Sequence, residues 1–391
     1  MNAPKLRFKG FNDGWQKKEL REISQIYDGT HQTPNYIQNG VPFVSVEDIS
    51  DIEKTNKFIS KNAFEKEFKI KPQVNDILMT RITAGIIGAT AIVKNNNPLG
   101  YYVSLALIRK NKEIDVNYLN QYINCFKFKK ELNKRIIHVA FPKKINLGDI
   151  GKCKISITSI NEQQKIGKML NILDRKIELQ SKKIEDLKLF KKGLLISKFS
   201  NKVKNIKLEE IIKKGKAGGT PKSTVQKYYD GTIPFLSISD ISSQNKYIKY
   251  TEKCISKEGL KNSSTWLVPK NSIILSMYAS YGLPCINKIE LATSQAMYSM
   301  IFKDDIDVEF IYYYLYYLQQ INYYDRLVST GTQSNLNAEK VNKIKIYCPN
   351  YDIQKNISKL FVSCDRKILL EENKLLKLQE LKKGLMQSMF V

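Results

Sequence analysis

A glycine-rich segment in the second half of the chain, Lys216–Ser223, contains residues that could bind phosphate. A nucleotide-binding P-loop needs Gly directly before its Lys, whereas Pro221 precedes Lys222 and has no backbone N–H to donate. The segment is therefore not predicted to be a P-loop. Two interpretations stay open: a structural Gly-Gly-Thr-Pro turn, or a DNA-contacting loop in which glycine allows close approach to a phosphate and Lys216 and Lys222 add charge.

A loop in the first half also carries a side chain that could contact DNA. Met79–Gly88 ends a strand-like run, contains two glycines and includes Arg81. An arginine there could bond bidentately to guanine or clamp a phosphate. The loop in the same place of the second half, Ser276–Gly282, has no arginine. Different residues in equivalent loops are what two readers of different DNA half-sites need.

The residue patterns of common catalytic sites are missing. Glu67–Lys69 forms an E-x-K triplet, as in some nucleases, but such triplets arise by chance in a Lys-rich chain and nothing upstream completes a metal site. The sequence has no Gly-rich cofactor loop after a strand and no Asn-Pro-Pro-aromatic run. The only histidines are His31 and His138, and the six cysteines, which we interpret as buried apolar thiols, lack C-x-x-C spacing. We expect no metal, no cofactor and no catalysis by this chain alone.

The charge of the chain predicts a polyanionic partner. Lys and Arg total 64 against 38 Asp and Glu, a formal net charge of +26, which favours nucleic acid. A membrane surface is a weaker alternative, because membrane-surface helices carry Trp, Phe and Leu and only two Trp are present. The apolar run Phe310–Leu318 is shorter than the ~20 residues of a bilayer span, and no signal region is found. We expect a soluble, cytoplasmic protein that binds no membrane.

An internal duplication is the most informative feature of the sequence. Asp174–Ile177 recurs as Asp365–Ile368, a shift of 191 residues that holds without a gap through Lys191–Leu194 and Lys382–Leu385. Upstream the match persists only at short anchors: Thr33–Pro34 and Thr220–Pro221, Pro42–Ser45 and Pro234–Ser237, Asp48–Ser50 and Asp240–Ser242, and Asn75–Thr80 and Asn271–Ser276. One ungapped register over tens of residues indicates a tandem repeat.

The closely matched segments predict long helices. Residues 161–199 contain no Pro and two Gly, which favours a helix of ~38 residues and ~57 Å. Apolar residues recur at heptad spacing in both copies, as in a coiled-coil seam. The predicted seam residues are Ile166, Leu170, Leu173, Ile177, Ile184, Leu187 and Leu194, and Ile357, Phe361, Cys364, Ile368, Leu375, Leu378 and Leu385. The two stripes are best buried against each other; either orientation is possible, and antiparallel packing suits two separated globules better.

The divergent segments, 15–155 and 204–346, mix short β-type runs with turn signals. Val41–Val46, Ile77–Thr80 and Ile273–Leu275 are predicted strands. Phe310–Tyr324 is a predicted helix whose aromatic residues belong to a core rather than to a DNA-stacking surface. Each globule is therefore predicted to be α+β.

With these residues in view, the whole chain resembles the specificity subunit of type I restriction-modification systems. The residues that carry the resemblance are the opening Pro4–Phe11, the turn Gly218–Pro221, the two Pro-Phe-x-Ser strings, Asn75–Leu78, Gly331–Leu336, and Glu162–Ile166 at the start of a helix that ends in Lys-Lys-Gly-Leu. Their order and their duplication are more specific than any single motif. The chain departs from the family pattern in two places. Ile353 stands in the second copy where Glu162 stands in the first, and Gly29–Pro34 of the first copy matches the compact turn Gly218–Pro221 only in part.

The resemblance implies two target-recognition domains, each of which reads one half of a bipartite, asymmetric DNA site. It predicts an α+β fold with two long conserved helices packed as an antiparallel coiled coil and a pseudo-twofold internal repeat. The predicted boundaries are 1–155 for the N-terminal segment and first target-recognition domain, 156–203 for the first helix, 204–346 for the second domain and 347–391 for the second helix. A helix of at most ~57 Å bounds the spacer between half-sites to ~17 base pairs.

The same resemblance implies partners and a function. Two methyltransferase subunits would carry S-adenosylmethionine and modify adenine, and two restriction subunits would use ATP and Mg; this chain would supply double-stranded DNA recognition for host defence. The candidate DNA-binding residues are Thr30, Gln32, Thr33, Asn35, Ser45, Arg81, Thr83, Lys143, Lys144, Lys216, Gly219, Thr220, Lys222, Ser237, Ser239, Tyr278, Ser280, Gln333 and Asn335. The alternative is a stand-alone tandem nucleic-acid-binding module that dimerises through its heptad helices.

Overall fold

The computed structural model describes residues 3–278, 280–328 and 336–390, and the chain divides into two compact units. Unit 1 comprises Met1–Lys182 and Asn373–Val391, and unit 2 comprises Lys183–Glu372. Each unit contains one globule and a segment of both long helices. The predicted domain boundaries instead follow the ends of the helices, and they stay a prediction.

Unit 1 combines short strands with short helices. Its strands are β1 (Gln16–Glu19), β2 (Ser24–Asp28), β3 (Val41–Val44), β4 (Phe58–Ile59), β5 (Ile77–Thr80), β6 (Ile82–Thr83), β7 (Thr90–Ile92), β8 (Gly100–Tyr101), β9 (Leu105–Lys110), β10 (Lys143–Lys144) and β11 (Lys154–Ile157). Its helices are α1 (Leu20–Ile23), α2 (Lys61–Glu67), α3 (Val116–Ile123), α4 (Phe126–Asn133), α5 (Leu147–Gly151) and the first part of α6 (Ile160–Phe199). The sheets have the orders β2-β9-β5-β7, β4-β3-β8, β1-β11 and β10-β6.

Unit 2 repeats this plan. Its strands are β12 (Ile206–Lys207), β13 (Ile212–Ala217), β14 (Ile233–Leu236), β15 (Tyr247–Ile248), β16 (Lys253–Ile255), β17 (Ile273–Ser276), β18 (Pro284–Asn287), β19 (Ala292–Thr293), β20 (Met297–Phe302) and β21 (Lys345–Ile346). Its helices are α7 (Leu208–Ile211), α8 (Ile238–Gln244), α9 (Lys257–Lys261), α10 (Val308–Gln320), α11 (Ala338–Asn342) and the first part of α12 (Tyr351–Met389). The sheets have the orders β13-β20-β17-β18-β15, β16-β14-β19 and β12-β21.

The central strand of unit 1 packs on both of its faces. Ile77 and Met79 of β5 belong to one core together with Leu170 of α6, whereas Leu78 belongs to a second core around Phe43. Alternate side chains of a strand point to opposite faces, which explains the division. In unit 2 the residues of β17 divide between two cores in the same way. The α+β fold and the tandem repeat are therefore confirmed.

The two long helices pack antiparallel. Within unit 2, Lys191 Nζ of α6 lies 2.5 Å from Asp365 Oδ1 of α12, and Lys183 Nζ lies 2.9 Å from Glu371 Oε1. Residue numbers therefore fall along one helix while they rise along the other. Helix α6 begins at Ile160, one residue before the predicted start, and its 40 residues correspond to ~60 Å.

The ion pair of unit 2 has a repeat-related counterpart in unit 1. Lys382 Nζ lies 2.5 Å from Asp174 Oδ1, and these residues are Lys191 and Asp365 shifted by 191 positions. The fourteen predicted seam residues are all buried or half-buried. Six of them are buried and eight are half-buried, so packing within the chain already covers much of the surface that the alternative function would use for dimerisation.

Buried glutamines fix the start of each long helix in the same way. Gln163 Oε1 accepts a hydrogen bond from Asp115 N at 2.9 Å, and Gln354 Oε1 accepts one from Asp307 N at 2.9 Å. Each glutamine Nε2 also donates to a backbone carbonyl five residues earlier, at 2.7 and 2.8 Å. Both glutamines are fully or almost fully buried, so these bonds satisfy groups that burial would otherwise penalise.

The departure at Ile353 changes how the second helix begins. In unit 1, Glu162 is buried and accepts two 2.8 Å hydrogen bonds from Arg7 of the N-terminal segment. In unit 2, Ile353 is exposed, and its backbone N donates to Asn350 Oδ1 at 3.0 Å, which caps the helix. Glu162 therefore serves to bind the N-terminal segment, a contact that Ile353 cannot make. Helix α12 begins at Tyr351 without that carboxylate.

The tyrosine-rich helix is core, as predicted, but it is shorter than predicted. Phe310, Tyr313 and Tyr314 of α10 are fully buried. The helix ends at Gln320 because Asn322 adopts a left-handed conformation, with φ of 54°, before a short 3-10 turn.

Among the helices that the structure describes, none combines the length and the apolar character that a membrane span requires.

Candidate nucleic-acid interface

Three loops of unit 1 meet at Arg81, which immediately follows β5. The Arg81 Nη1 donates hydrogen bonds to Asp28 Oδ1 at 2.7 Å and to Val103 O at 2.9 Å, and Nε donates to Ile145 O at 3.3 Å. The Arg81 carbonyl accepts a bond from Ile145 N at 3.0 Å. The structure therefore brings together the loop after Asp28, the loop after Arg81 and the segment before Ile145, which carry most of the residues predicted for the first half.

The position of Arg81 favours a structural role over base reading. Its accessible fraction is 9 %, and the carboxylate of Asp28 and two backbone carbonyls already accept from its guanidinium. A buried guanidinium needs such partners, and charge-assisted bonds of this kind fix geometry. The bidentate contact with guanine suggested by the sequence would require Arg81 to leave them.

A hydroxyl closes the loop that follows Arg81. Thr80 Oγ1 donates to Ile86 O at 2.7 Å and accepts from Ala89 N at 2.9 Å. Gly88 in this loop has a φ of +85°, a conformation that a side chain would strain. Burial lowers the pKa of Lys129, whose ammonium donates to Gly88 O, to about 8. The loop thus leaves β5 and returns to β7 along a fixed path.

Unit 2 closes its equivalent loop with the same chemistry. Ser276 Oγ donates to Ser280 O at 2.5 Å and accepts from Leu283 N at 3.0 Å, and Gly282 has a φ of +78°. The residue in the place of Arg81 is Met277, which is buried in an apolar core. The anchor of the loop is therefore repeated, whereas the side chain at its start is not.

The Gly-Gly-Thr-Pro segment is a packed turn between β13 and the rest of unit 2. A Cβ on Gly218 would lie 2.1 Å from Thr293 O, and one on Gly219 would lie 2.6 Å from Thr265 N. Both glycine N–H groups donate within the protein, Gly218 to Met297 O at 3.1 Å and Gly219 to Thr293 O at 2.9 Å. Close packing therefore requires these glycines, and their amides are not free to bind a phosphate.

The two Pro-Phe-x-Ser anchors also have a structural explanation. Ser45 N donates to Asp48 Oδ2 at 2.9 Å, and Ser237 N donates to Asp240 Oδ2 at 2.8 Å. Ser45 caps a 3-10 turn and Ser237 caps helix α8, and the first of these caps ends the first predicted strand at Val44 rather than Val46. The anchors recur because both units need this cap.

The candidate DNA-binding residues differ widely in exposure. The exposed ones are Gln32, Thr33, Asn35, Lys143 and Lys144 in unit 1 and Lys216, Thr220, Lys222, Ser239, Tyr278 and Ser280 in unit 2. The buried ones are Thr30, Arg81 and Gly219, and the half-buried ones are Ser45, Thr83 and Ser237. Gln333 and Asn335 lie outside the described residues.

Exposed apolar side chains are a further feature of unit 1, and sequence reasoning missed them. Val139 and Phe141 stand 97 % and 92 % exposed just before β10, and Ile86 stands 74 % exposed in the loop before β7. Strands β10 and β6 pair through Lys143 and Thr83. The signal in the sequence was an apolar string, 136–142, bracketed by arginine and lysines.

The described residues hold no metal-binding group of three or more His, Cys, Asp or Glu side chains. Of the cysteines, Cys125, Cys153 and Cys285 are buried and the other three are half-buried. Burial raises the pKa of the Cys153 thiol to about 12, so it is a neutral apolar group at pH 7. The interpretation of the cysteines as buried thiols therefore applies fully to three of the six.

Comparison with protein families shows which family the chain belongs to. Residues 12–189 and 200–380 match the family described as type I restriction modification DNA specificity domain. The chain belongs to this family. Its two matched segments correspond to the two copies of the internal repeat, and specificity subunits are non-catalytic components of type I restriction-modification complexes. The chain is therefore a non-catalytic DNA-specificity subunit with two recognition domains.

Relatives and solved structures agree with this assignment. A chain from Methanocaldococcus jannaschii, named as the MjaX type I specificity subunit, is 26 % identical and covers 98 % of this chain and 95 % of its own length. The HindI specificity subunit of Haemophilus influenzae is 30 % identical over 42 % of this chain and 36 % of its own. The crystal structure of the type I S subunit from M. genitalium has a TM-score of 0.63 at 17 % identity, covering 100 % and 99 % of the two chains, and so shows the same fold.

Proposed function

We propose that each recognition domain reads one half of a bipartite, asymmetric DNA site and so directs adenine methylation or restriction by partner subunits. The observation that carries this proposal is the contrast between a repeated frame and unrepeated loops. Gln163 and Gln354 make the same buried bonds, whereas Arg81 and Met277 occupy the same loop position. A shared frame with different loops is what recognition of two different half-sites requires.

The DNA contacts are proposed for the exposed members of the candidate set. Lys143 and Lys144 end the first reader's hairpin, and Lys216 and Lys222 flank the packed turn of the second. Exposed lysines neutralise phosphates, while exposed amides and hydroxyls such as Gln32 can bond to base edges. We assign positioning roles to the buried or capping residues: Thr30, Ser45, Arg81, Gly219 and Ser237.

The two long helices are proposed to bind two identical methyltransferase subunits, and two restriction subunits would complete the complex. Leu179 and Leu370 are exposed outside the seam and are related by the 191-residue repeat, as are the exposed Phe190 and Leu381. Repeated apolar positions suit two copies of one partner. S-adenosylmethionine, ATP and Mg would belong to those partners, and this chain would work in the cytoplasm.

Modified-base sequencing of cells with and without the gene tests the proposed function. With the partner subunits expressed, deletion is expected to remove methylated adenine from one bipartite motif, and the wild-type gene is expected to restore it. An unchanged set of methylated motifs would contradict the proposal. Purification adds a second criterion, because a self-sufficient dimer without a methyltransferase chain would favour the stand-alone module.

Arg81→Ala tests the division between positioning and reading. The substitution removes the tie among three loops, so we expect the melting temperature and the affinity for one half-site to fall together, the latter by ~1–3 kcal/mol. Lys143→Ala, the control, is expected to leave the melting temperature unchanged and to reduce the salt dependence of binding. If Arg81→Ala changed base preference at one position without loss of stability, Arg81 would be a reader instead.

A further inference from the structure

The hairpin 137–144 of unit 1 projects an aromatic side chain from a fixed base. Ile137 N donates to Lys144 O at 2.8 Å, and β10 pairs with β6 through Lys143 and Thr83. Ile145 then bonds to the backbone of Arg81. The ends of the hairpin are therefore held by strand pairing.

The tip of this hairpin is apolar and water-exposed. Phe141 is 92 % exposed and Val139 is 97 % exposed. Ile86, which is also exposed, lies three residues beyond Thr83 in the neighbouring strand, so both apolar positions lie beyond the same end of the β6–β10 pair. Three exposed apolar side chains beyond one end of a strand pair form a candidate binding surface.

The surroundings of the tip are cationic. Lys143 and Lys144 directly follow the tip and are exposed, and residues 136–148 contain no Asp or Glu, whereas Lys134 and Arg135 at the base both pair with Glu131. His138 at the tip is exposed as well. The partner of such a tip must combine negative charge with flat apolar faces. The phosphates and stacked bases of DNA provide both, whereas a protein partner would need an acidic, apolar pocket.

We propose that Phe141 inserts at a base step of the half-site read by the first domain and stacks against an unstacked base, with Lys143 and Lys144 on the adjacent phosphates. The proposal rests on the proposed function and adds to it a mode of recognition: the domain reads how easily its site is unstacked as well as its base edges. Apolar wedges of this kind pry base steps apart at an energetic cost that their stacking contacts offset.

The second copy does not carry this wedge. Counting 191 residues from Phe141 gives Thr332, within the polar string Ser-Thr-Gly-Thr-Gln-Ser-Asn at 329–335. The arginine before the string and the apolar residue after it are kept in both copies, as Arg135 and Ile145 and as Arg326 and Leu336. Only the first half-site is therefore expected to be distorted in this way.

The test uses the full chain, in the complex in which it is purified, and a duplex that carries the motif mapped by modified-base sequencing. 2-Aminopurine replaces a base at each position in turn, except at the methylated adenine, because its fluorescence rises when it is unstacked. Wild type is expected to raise the fluorescence at one step within one half-site. Phe141→Ala and Phe141→Thr, which copies the second domain, are expected to abolish that rise and to weaken binding about 5- to 150-fold.

Matched variants separate the wedge from other roles. Phe126→Ala removes another exposed phenylalanine of unit 1, which also has lysines nearby, and is expected to change neither readout. Phe141→Trp keeps an aromatic face and is expected to restore the fluorescence rise. Since Phe141 carries no charge, its loss should leave the salt slope of binding unchanged, whereas Lys143→Ala should reduce it.

Several outcomes would overturn the inference. Wild-type affinity and fluorescence in Phe141→Ala would show that the tip does not stack on DNA. Unchanged DNA binding with loss of a partner subunit during purification would make the tip a protein contact. A wild-type complex with no sequence-specific binding at all would contradict the proposed function itself, and the wedge with it.

Discussion

The two units share a helix frame that is defined by repeated polar contacts. Asp174 pairs with Lys382 in unit 1 and Asp365 pairs with Lys191 in unit 2, and each pair is the 191-residue image of the other. The glutamines at the helix starts also share two hydrogen bonds, one accepted from an aspartate backbone N–H and one donated to the carbonyl five residues earlier. Along the long helices, the repeat therefore extends to individual hydrogen bonds.

The units differ where the globule meets the helix pair. In unit 1, Gln121 Nε2 donates to Asp174 Oδ2 at 2.6 Å, whereas in unit 2 Tyr313 OH donates to Asp365 Oδ2 at 2.5 Å. Tyr313 also accepts a 2.7 Å bond from the buried Lys246. Burial lowers the pKa of Lys246, which its ionic partners only partly offset. The difference shows that one helix frame accepts two globules with different polar contacts, provided that each carboxylate keeps its partners.

The largest expected effect comes from breaking the frame common to both units. Leu173 is 8 % exposed in the seam, and Leu173→Glu places an unpaired charge there, which should cost about 3–5 kcal/mol of stability. Leu179→Glu is the control, because Leu179 on the same helix is exposed. Thermal unfolding of both variants is the measurement. Equal melting temperatures would contradict the seam assignment.

Intermediate effects of similar size are expected from the two buried glutamines. Gln163→Ala leaves one backbone N–H and two carbonyls without their glutamine partner, and Gln354→Ala leaves one N–H and one carbonyl, at a cost of ~1–3 kcal/mol each. Hydrogen exchange of the Asp115 and Asp307 amides, which donate to these glutamines, would report each loss separately. A large effect in one unit and none in the other would show that the repeated hydrogen bonds do not contribute similarly to the stability of the two units.

The repeated ion pairs should respond unequally. Asp365→Asn affects Lys191, Tyr313 and Lys246 together, so we expect a loss of ~1–3 kcal/mol. Asp174→Asn affects a more exposed pair and should cost less than ~1 kcal/mol. Denaturant unfolding of the two single variants measures the difference. The reverse order would mean that the polar network of unit 2 adds no stability.

The smallest expected effect is a pH dependence that arises from Lys129 of unit 1. The repeat places Gln320 at the position of Lys129, whose pKa is lowered to about 8 from an ordinary 10.5. Between these values the unfolded chain keeps a proton that the folded chain has lost, so this group makes stability rise with pH. The stability of wild type relative to Lys129→Gln should therefore increase from pH 8 to pH 10.5. A flat difference would show that Lys129 is not desolvated.

The frame could be predicted from the sequence, whereas most of the interface could not. The heptad residues and the 191-residue repeat can be recognised from the spacing of residues along the chain, so the helices and their pairing could be predicted. The pairing of Arg81 with Asp28 joins residues 53 positions apart, and no local pattern signals it. Phe141 was missed because an apolar residue in a string is normally assigned to a core, and only the folded chain shows that it is exposed.

The central claim is that two different readers are mounted on one repeated frame. A chimera in which a copy of residues 15–155 replaces residues 204–346 tests it most directly, with modified-base sequencing of cells that carry either chain. In cells with the wild-type chain, the partner subunits should methylate a bipartite, asymmetric motif. The chimera should direct methylation to a motif in which one wild-type half-site occurs twice as an inverted repeat, since the helices are antiparallel. An unchanged asymmetric motif in the chimera would contradict the account.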